Sequence, residues 1–174
     1  MDKVNRDFLH DVIADVLGVD GRKVIWAGAN APKIKPPFFV LHLFGEQSQA
    51  GAELRKVQGS DGLYKVLVPS IATLEVQAYG AMSADPSEPS YILTELVRSV
   101  EKPTVVDRCF VQGVSFAWAE AVQDIPELVA DGAQSQPRAG VDFHITYMHE
   151  VIDDLGVIEK VHVNDDFFIP REDD

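Results

Sequence analysis

The sequence predicts an α/β protein of the α+β type, a single domain in which two main helices pack on one face of a mostly antiparallel β-sheet. Apolar and polar residues alternate over 71–79 and 141–147, which is the period of strands with one buried face. Two other segments, 5–17 and 85–100, repeat apolar residues every three or four positions, as helices do. The order is helix, strands, helix, strands, and strands that follow one another directly favour antiparallel pairing.

The N-terminal segment is predicted to form a helix that Asn5 caps and Gly18 ends. Its apolar stripe consists of Phe8, Leu9, Val12, Ile13, Val16 and Leu17. A short strand over 23–27 follows. Prolines at 32, 36 and 37 then predict an extended connector.

The segment Phe38–Phe44 is apolar on both faces, which indicates a strand that is covered twice or is covered by another subunit. Phe39 and Leu41 are therefore candidates for a subunit interface. The polar stretch Gly45–Gly62 is long for a loop, and a projecting hairpin arm is the other interpretation. Its charged residues Glu53, Arg55 and Lys56 are candidate contacts.

The middle of the chain predicts strands over 63–68 and 71–79, with Ala72, Leu74, Val76 and Ala78 on one side of the second. A helix follows, with Asp85 as cap, Pro86 at its first position, and Pro103 as its stop. The next predicted strand, over 113–118, places Val114, Phe116 and Trp118 on one face.

The C-terminal third predicts a turn or short helical bend over 124–128 and then a pair of strands, 141–147 and 157–163. An acidic connection, 150–154, joins the two strands. The domain is expected to span 1–164, followed by an acidic tail over 165–174.

The composition is that of an ordinary globular domain, with 46% hydrophobic and 25% charged residues, but the net charge is −13. From Gly113 onward there are 14 acidic and 3 basic residues, which accounts for −11 of that charge. Such a balance argues against gripping nucleic acid, which requires a basic patch. It suits a channel through which DNA slides, although a solvated acidic face explains the charge equally well.

Nothing in the sequence predicts a membrane span or a signal peptide, because the N-terminus is polar and no apolar run approaches the roughly 18 residues of a span. Cys109 is the only cysteine. It is expected to be a small buried hydrophobic residue, which fits a reducing cytoplasm.

No catalytic motif is present: the sequence lacks a phosphate-binding loop, a dinucleotide-binding turn, a hydrolase elbow and zinc-type spacing. We therefore predict neither enzymatic activity nor a cofactor. The nearest approach to a metal site comprises His144, His149, Glu150, Asp153 and Asp154, for which a solvated acidic turn is the favoured interpretation.

Three other polar residues have structural explanations. His10 and His42 lie among apolar residues, so packing in the core or at an interface is expected for both. Arg138 precedes a strand in an acidic region, where it forms either a local ion pair or a contact between subunits.

Five segments, taken in order and with their spacing, resemble the phage tail terminator family of neck proteins. They are Pro37-Phe38-Phe39-Val40-Leu41, 72–80, 122–128, Arg138-Ala139-Gly140-Val141-Asp142-Phe143 and 156–161. None is a chemical motif, so the resemblance depends on their order. It covers the chain from the first helix to Val163.

The resemblance implies a structural virion protein of a bacteriophage, made in the host cytoplasm and located in the neck of the tail. Six copies would form a ring that caps the tail tube, stops its growth and joins the tail to the head-side connector. The partners would be the tail tube protein, the connector or stopper protein, and the sheath as a further one. DNA would pass through without sequence-specific binding. No enzymatic activity or cofactor is implied.

Two alternatives stay open at this point. The chain could be another neck component, such as a head-completion or stopper protein, or a small metal-binding domain that uses the cluster from His144 to Asp154. For the ring, the candidate contact residues are Phe39, Leu41, Glu53, Arg55, Lys56 and Arg138.

Overall fold

The computed structural model describes residues 1–29, 34–48, 55–58, 64–81, 85–125, 127–128 and 135–153. The helices are α1 (Lys3–Leu17), α2 (Glu88–Val100) and α3 (Pro103–Gln112), with a 3-10 turn at Gly21–Lys23. The strands are β1 (Val24–Trp26), β2 (Phe38–Ser48), β3 (Arg55–Gln58), β4 (Tyr64–Tyr79), β5 (Val114–Ala119), β6 (Gln123–Asp124), β7 (Glu127–Leu128), β8 (Ser135–Gln136) and β9 (Arg138–Asp153).

One sheet organises the described part of the chain, in the order β1-β2-β4-β9-β5, with β3 paired to β4 and β6 paired to β9. Only the β1–β2 pair is parallel, and the other ladders of this sheet are antiparallel. The predicted fold class, an α+β domain with a mostly antiparallel sheet, is confirmed. The small strands β7 and β8 pair with each other.

The centre of the sheet consists of β4 and β9, two 16-residue strands that pair along their whole length. The sequence predicted two strands, 63–68 and 71–79, where β4 is one, and Pro69 lies between the two predicted ranges. Pro69 lies between Ser70, which pairs with β2, and Leu67, which pairs with β3. A residue without an N–H is tolerated at this change of neighbour, so the strand continues through it.

The core lies between α1, α2 and one face of the sheet. Alternate residues of β4 and β9 supply that face, as the period-2 pattern predicted, and the helices contribute their apolar stripes. The buried residues are Leu9, Ile13, Ala14, Val24, Leu93, Leu96, Val100, Phe39, Leu41, Ala72, Leu74, Val76, Ala78, Val114, Ala139, Val141, Phe143, Ile145 and Tyr147. Phe116 and Phe143 meet edge to face within it, with ring centroids 5.3 Å apart.

The first helix begins three residues earlier than predicted. Asp2 is its capping residue, since its carboxylate accepts a hydrogen bond from the Asn5 backbone N–H at 2.8 Å. Asn5 is buried inside the helix instead. Gly18 ends the helix as predicted, with φ of 65° in the left-handed region that favours glycine.

The start of α2 is also shifted, because Asp85 forms a turn rather than the cap. Its carboxylate accepts from the N–H of Ser87 at 2.9 Å and from the Ser87 hydroxyl at 2.7 Å. Ser87 occupies the cap position, and Glu88 is the first helical residue.

The third helix, α3, was not predicted. Pro103 does not only stop the preceding helix but also begins a new one, which Gly113 closes at φ 71°. Val105 and Cys109, one turn apart, are buried against Val12 of α1. Cys109 is thus a buried hydrophobic residue, as predicted.

Two further predictions are wrong in the C-terminal third. Residues 123–124 and 127–128 are short strands rather than a turn or helical bend. Glu150–Asp153 continues β9 opposite β4 instead of forming a connection, because the sheet partner extends that far. The predicted strand 157–163 and the tail 165–174 lie outside the described residues.

Candidate assembly surface

The helices cover one face of the sheet, and we call the opposite face the open face. Its residues alternate with the core residues along each strand and are mostly part-exposed. It comprises Phe38, Val40, His42 and Phe44 of β2, Thr73, Glu75, Gln77 and Tyr79 of β4, Arg138, Asp142, His144 and Thr146 of β9, and Trp118 of β5. None of the helices in the described ranges lies over this face, and an antiparallel sheet can leave one face to solvent or to a partner.

One end of the open face is aromatic. Phe38 and Tyr79 stack with ring centroids 4.6 Å apart, and the Arg138 guanidinium lies 4.9 Å from the centre of the Tyr79 ring. The Gln77 side-chain oxygen accepts from the Tyr79 hydroxyl at 3.0 Å and from Arg138 Nη2 at 2.6 Å. These contacts fix the orientation of Arg138 before any partner arrives.

The middle of the open face carries an acidic row, Glu75, Asp142 and Glu120. Burial raises the pKa of Asp142, and the neighbouring carboxylates of Glu75 and Glu120 raise it further. His42 and His144 oppose the rise: His42 Nδ1 lies 3.4 Å from Glu75, and His144 Nε2 lies 2.9 Å from Glu120. The three carboxylates concentrate negative charge in the middle of the open face, and the Gln77 amide links Glu75 to Arg138.

Beyond the acidic row, the open face ends in a groove formed beside Trp118. The register of β5 shifts between Phe116 and Trp118, so Phe116 faces the core while Trp118 lies opposite His144. The prediction that Trp118 shares the face of Val114 and Phe116 is therefore wrong. Its ring stacks on His144 at 4.2 Å and is 56% exposed. The groove, of about 320 Å³, also contacts Gly45, Gln47 and Ile71.

Exposed apolar side chains also lie on α3 and on the adjoining part of β9, where Met148 continues the open face beyond Thr146. We call this group the α3 patch: Val106, Phe110, Val111 and Met148. Phe110 and Val111 are 84% and 87% exposed. Sequence analysis missed the patch because it missed the helix. Proline at its first position, glycine after its last, and Val105 with Cys109 at a four-residue spacing were the available signals.

The six predicted contact residues have different positions. Phe39 and Leu41 are 2% and 0% exposed in the core of the protomer, so they are not surface residues, and their assignment to an interface is wrong. The rest of their strand explains the doubly apolar pattern, because Phe38, Val40 and Phe44 belong to the open face. Arg138 is on the open face, bound to Tyr79 and Gln77.

The other three contact residues belong to the predicted arm. Glu53 lies outside the described residues. The backbone of Arg55 and Lys56 forms the start of β3, opposite Leu67 and Val66 of β4. Part of the predicted arm is therefore a strand that extends the sheet. Contact of Arg55 and Lys56 with another subunit stays a proposal.

The structure places His10 and His42, which were predicted to pack in the core or at an interface, outside the buried core. His10 is not a packing residue: its Nε2 lies 3.1 Å from the Gly21 carbonyl and 3.0 Å from that of Val24, so it fixes the turn after α1. His42 is exposed on the open face, beside Glu75. Among the residues that the structure describes, no group of three or more side chains could hold a metal ion.

The whole-chain comparison decides what kind of protein has this surface. The sequence matches the model of the phage neck terminator protein family over residues 3–169. The chain belongs to that family. A comparison with curated proteins gives no match. The family resemblance inferred from the five sequence segments is confirmed.

Membership in the neck terminator family makes this chain a structural protein of the phage virion, located in the neck of the tail. Within the described residues, the open face and the α3 patch expose large apolar side chains. None of the described helices has the length and apolar content needed to cross a membrane.

Proposed function

We propose that this neck terminator acts as a ring of identical subunits, six by the sequence resemblance, that caps the tail tube and stops its growth. The ring joins the tail to the head-side connector, and DNA passes through its lumen. The family match over residues 3–169 is the observation that supports this proposal. The chain itself contributes the open face, a broad exposed sheet surface of mixed aromatic and acidic character.

The subunits of a ring meet through two different surfaces, since only a heterologous contact closes into a ring of more than two copies. The open face supplies one of them. Trp118 and Phe44 are exposed aromatic residues there, and aromatic residues are enriched at such contacts. The second surface, we propose, includes the basic pair Arg55 and Lys56 on β3.

The residues of the two proposed surfaces are opposite in charge: Arg55 and Lys56 are basic, whereas Glu75, Glu120 and Asp142 are acidic. Lys56 pairs with Val66, and Glu75 comes nine residues later on the same strand. At about 3.3 Å per residue the separation is roughly 30 Å, well beyond the screening length of about 8 Å at physiological salt. The backbone of the basic pair therefore lies well beyond the screening length from the acidic row of its own protomer, and we propose that the pair meets the acidic row of a neighbouring copy.

Purified protein added to growing tail tubes tests the function directly. Negative-stain microscopy should show a ring at one end of each tube, and tube lengths should stop increasing. Tubes that continue to lengthen with bare ends would contradict the proposal. A monomer in free solution is compatible with it, because the tube rim can template the ring.

The contact surface is tested by charge reversal. Arg55→Glu should reduce the fraction of capped tubes at least tenfold while the free energy of unfolding changes by no more than about 0.5 kcal/mol, as for surface substitutions generally. Arg98→Glu is the matched control, because Arg98 is an exposed arginine that pairs only locally with Glu95 on α2. Equal losses of capping in both variants would rule out a specific role for Arg55.

Removal of the gene distinguishes a terminator from a head-completion or stopper protein, which also lacks chemistry. Loss of a terminator should leave tails of uncontrolled length or tails not joined to heads. Tails of normal length beside DNA-leaking heads would instead place the protein on the head side of the neck.

A further inference from the structure

Two histidines lie among the carboxylates of the open face, and each of them contacts one carboxylate. His42 on β2 has its Nδ1 3.4 Å from a carboxylate oxygen of Glu75 on β4. His144 on β9 has its Nε2 2.9 Å from a carboxylate oxygen of Glu120. Both rings are accessible to solvent, and histidine is the side chain that ordinarily changes charge between pH 5 and 8. The two contacts therefore involve groups whose charge depends on pH in that range.

The charged groups around the two rings are mainly acidic. Asp142 lies between the two contacts and interacts electrostatically with both histidines, with Glu75 and with Glu120. Arg138, the arginine of the open face, binds the Gln77 side chain, whose amide in turn donates to Glu75. With neutral histidines, the three carboxylates give this group a charge of −3. Protonation of both histidines changes that charge by two units, to −1.

Protonation turns both contacts into ion pairs within one protomer. The carboxylates of Glu75 and Glu120 then have a cationic partner on their own sheet, so less of their charge attracts an outside cation. Trp118 supports the charged form of His144, because the two rings stack at 4.2 Å and indole attracts a cation over its face. The open face thus presents an acidic row when the histidines are neutral and a largely self-neutralised row when they are charged.

We propose that His42 and His144 form a pH-sensitive switch on the open face, which binds a basic partner surface at pH 8 and releases it at pH 5.5. This switch rests on the proposed function for its partner, the basic surface of a neighbouring copy, but both histidine–carboxylate contacts belong to a single protomer. Salt screens exposed charges over about 8 Å, so the switch acts on groups that contact the row directly.

Tryptophan fluorescence measures the protonation of His144. The chain has two tryptophans, so Trp26→Phe leaves Trp118 as the single indole. A protonated imidazole quenches the emission of an indole on which it stacks. Emission should therefore fall between pH 8 and pH 5.5 in the Trp26→Phe protein, and the fall should disappear when His144→Gln is added. Emission that does not change with pH, or that falls equally in both proteins, would overturn the proposal.

Binding of tetra-lysine, a small cationic probe, tests the switch with both tryptophans in place. Methyl NMR signals of Thr73, which lies opposite His144, report binding at the open face itself. The Kd should rise about fivefold from pH 8 to pH 5.5, roughly the loss of one ion pair at an exposed surface. In His42→Gln with His144→Gln it should change less than about twofold, because neither glutamine gains a charge.

His10→Gln is the matched control for the probe experiment. His10 also contacts a carboxylate, with its Nδ1 2.9 Å from Asp11, but it lies on α1, which covers the other face of the sheet. This variant should keep the full pH dependence of the Kd. The same pH dependence in the double variant, or no binding to the open face at pH 8, would overturn the proposal. Both measurements use the monomer without tail tubes, so failure of the switch and failure of tail capping give different results.

Discussion

The two faces of the central sheet are formed by the same strands but differ in what covers their side chains. On the core face, Leu74 and Phe143 are fully buried beneath α1 and α2. On the open face, Thr73, Glu75 and His144 occupy the alternate positions of the same two strands and remain part-exposed. We expect the open face to tolerate changes in side-chain chemistry better than the core face, because its side chains are not packed beneath α1 and α2.

The largest expected effect separates the two faces by stability. Phe143→Ala should lower the free energy of unfolding by about 3–5 kcal/mol, because it leaves a cavity beside Phe116. Thr73→Ala, on the open face of the neighbouring strand, should cost no more than about 0.5 kcal/mol. Urea unfolding of both variants measures the difference. Similar costs would show that the open face is also structural.

The next comparison concerns assembly. Trp118→Ala should change the stability of the monomer by less than about 1 kcal/mol, since the ring is largely exposed. It should weaken capping of tail tubes at least tenfold, as loss of a central interface tryptophan does. Tyr91→Ala, an exposed aromatic residue on α2, is the control. If both substitutions reduce capping equally, the open face has no special role in docking.

Two histidines extend the comparison to pH. Burial opposes protonation of His10, but its hydrogen bonds to Asp11 and to the carbonyls of Val24 and Gly21 give a net raised pKa. A raised histidine pKa contributes stability that is complete below pH 6.5 and is lost as pH rises through the folded value. His10→Ala should therefore cost about 1–2 kcal/mol at pH 5.5 and less at pH 9.

His42 is the matched residue on the open face, where its ring is exposed beside Glu75. His42→Ala should cost less than about 0.5 kcal/mol at either pH. Thermal unfolding of both variants at the two pH values gives the comparison. A His10→Ala cost that is independent of pH would show that the neutral ring makes the same contacts.

The smallest expected effect is the free energy of unfolding that the monomer loses because the acidic row concentrates negative charge. The pKa of Asp142 is raised, so its contribution to stability is greatest below pH 3.8 and is lost as pH rises through the folded value. Asp142→Asn should thus stabilise the monomer at pH 7 by about 0.5 kcal/mol, a value that allows for solvent screening. The gain should vanish below pH 3.8. Asp107→Asn on α3 should show no such gain at neutral pH.

The sequence predicted the buried residues correctly wherever burial follows from the local periodicity of apolar side chains. Alternation in β4 and β9 identified the core face, because a strand turns every second side chain to the same side. The sequence failed wherever a neighbouring element decides the outcome. Pro69 lies between two predicted strands but is accommodated where β2 gives way to β3, and Pro103 reads as a stop but begins a helix.

The candidate surface was less predictable than the core, for the same reason. Phe39 and Phe38 are adjacent and chemically alike, yet one is buried and the other is on the open face. Which of them is covered depends on where the helices pack, and no local pattern records that. Trp118 changes face through a single bulge in β5, which hydrophobic spacing does not reveal.

The sequence by itself determined the fold class, the family and the residues that alternate into the core, because these follow from periodicity, from punctuation by proline and glycine, and from the order of segments. The tertiary structure decided which sheet face stays open, where Trp118 and Arg138 lie on it, and that α3 exposes Phe110. Those features depend on pairing between strands and on packing of helices far apart in the chain, and local sequence does not encode such contacts.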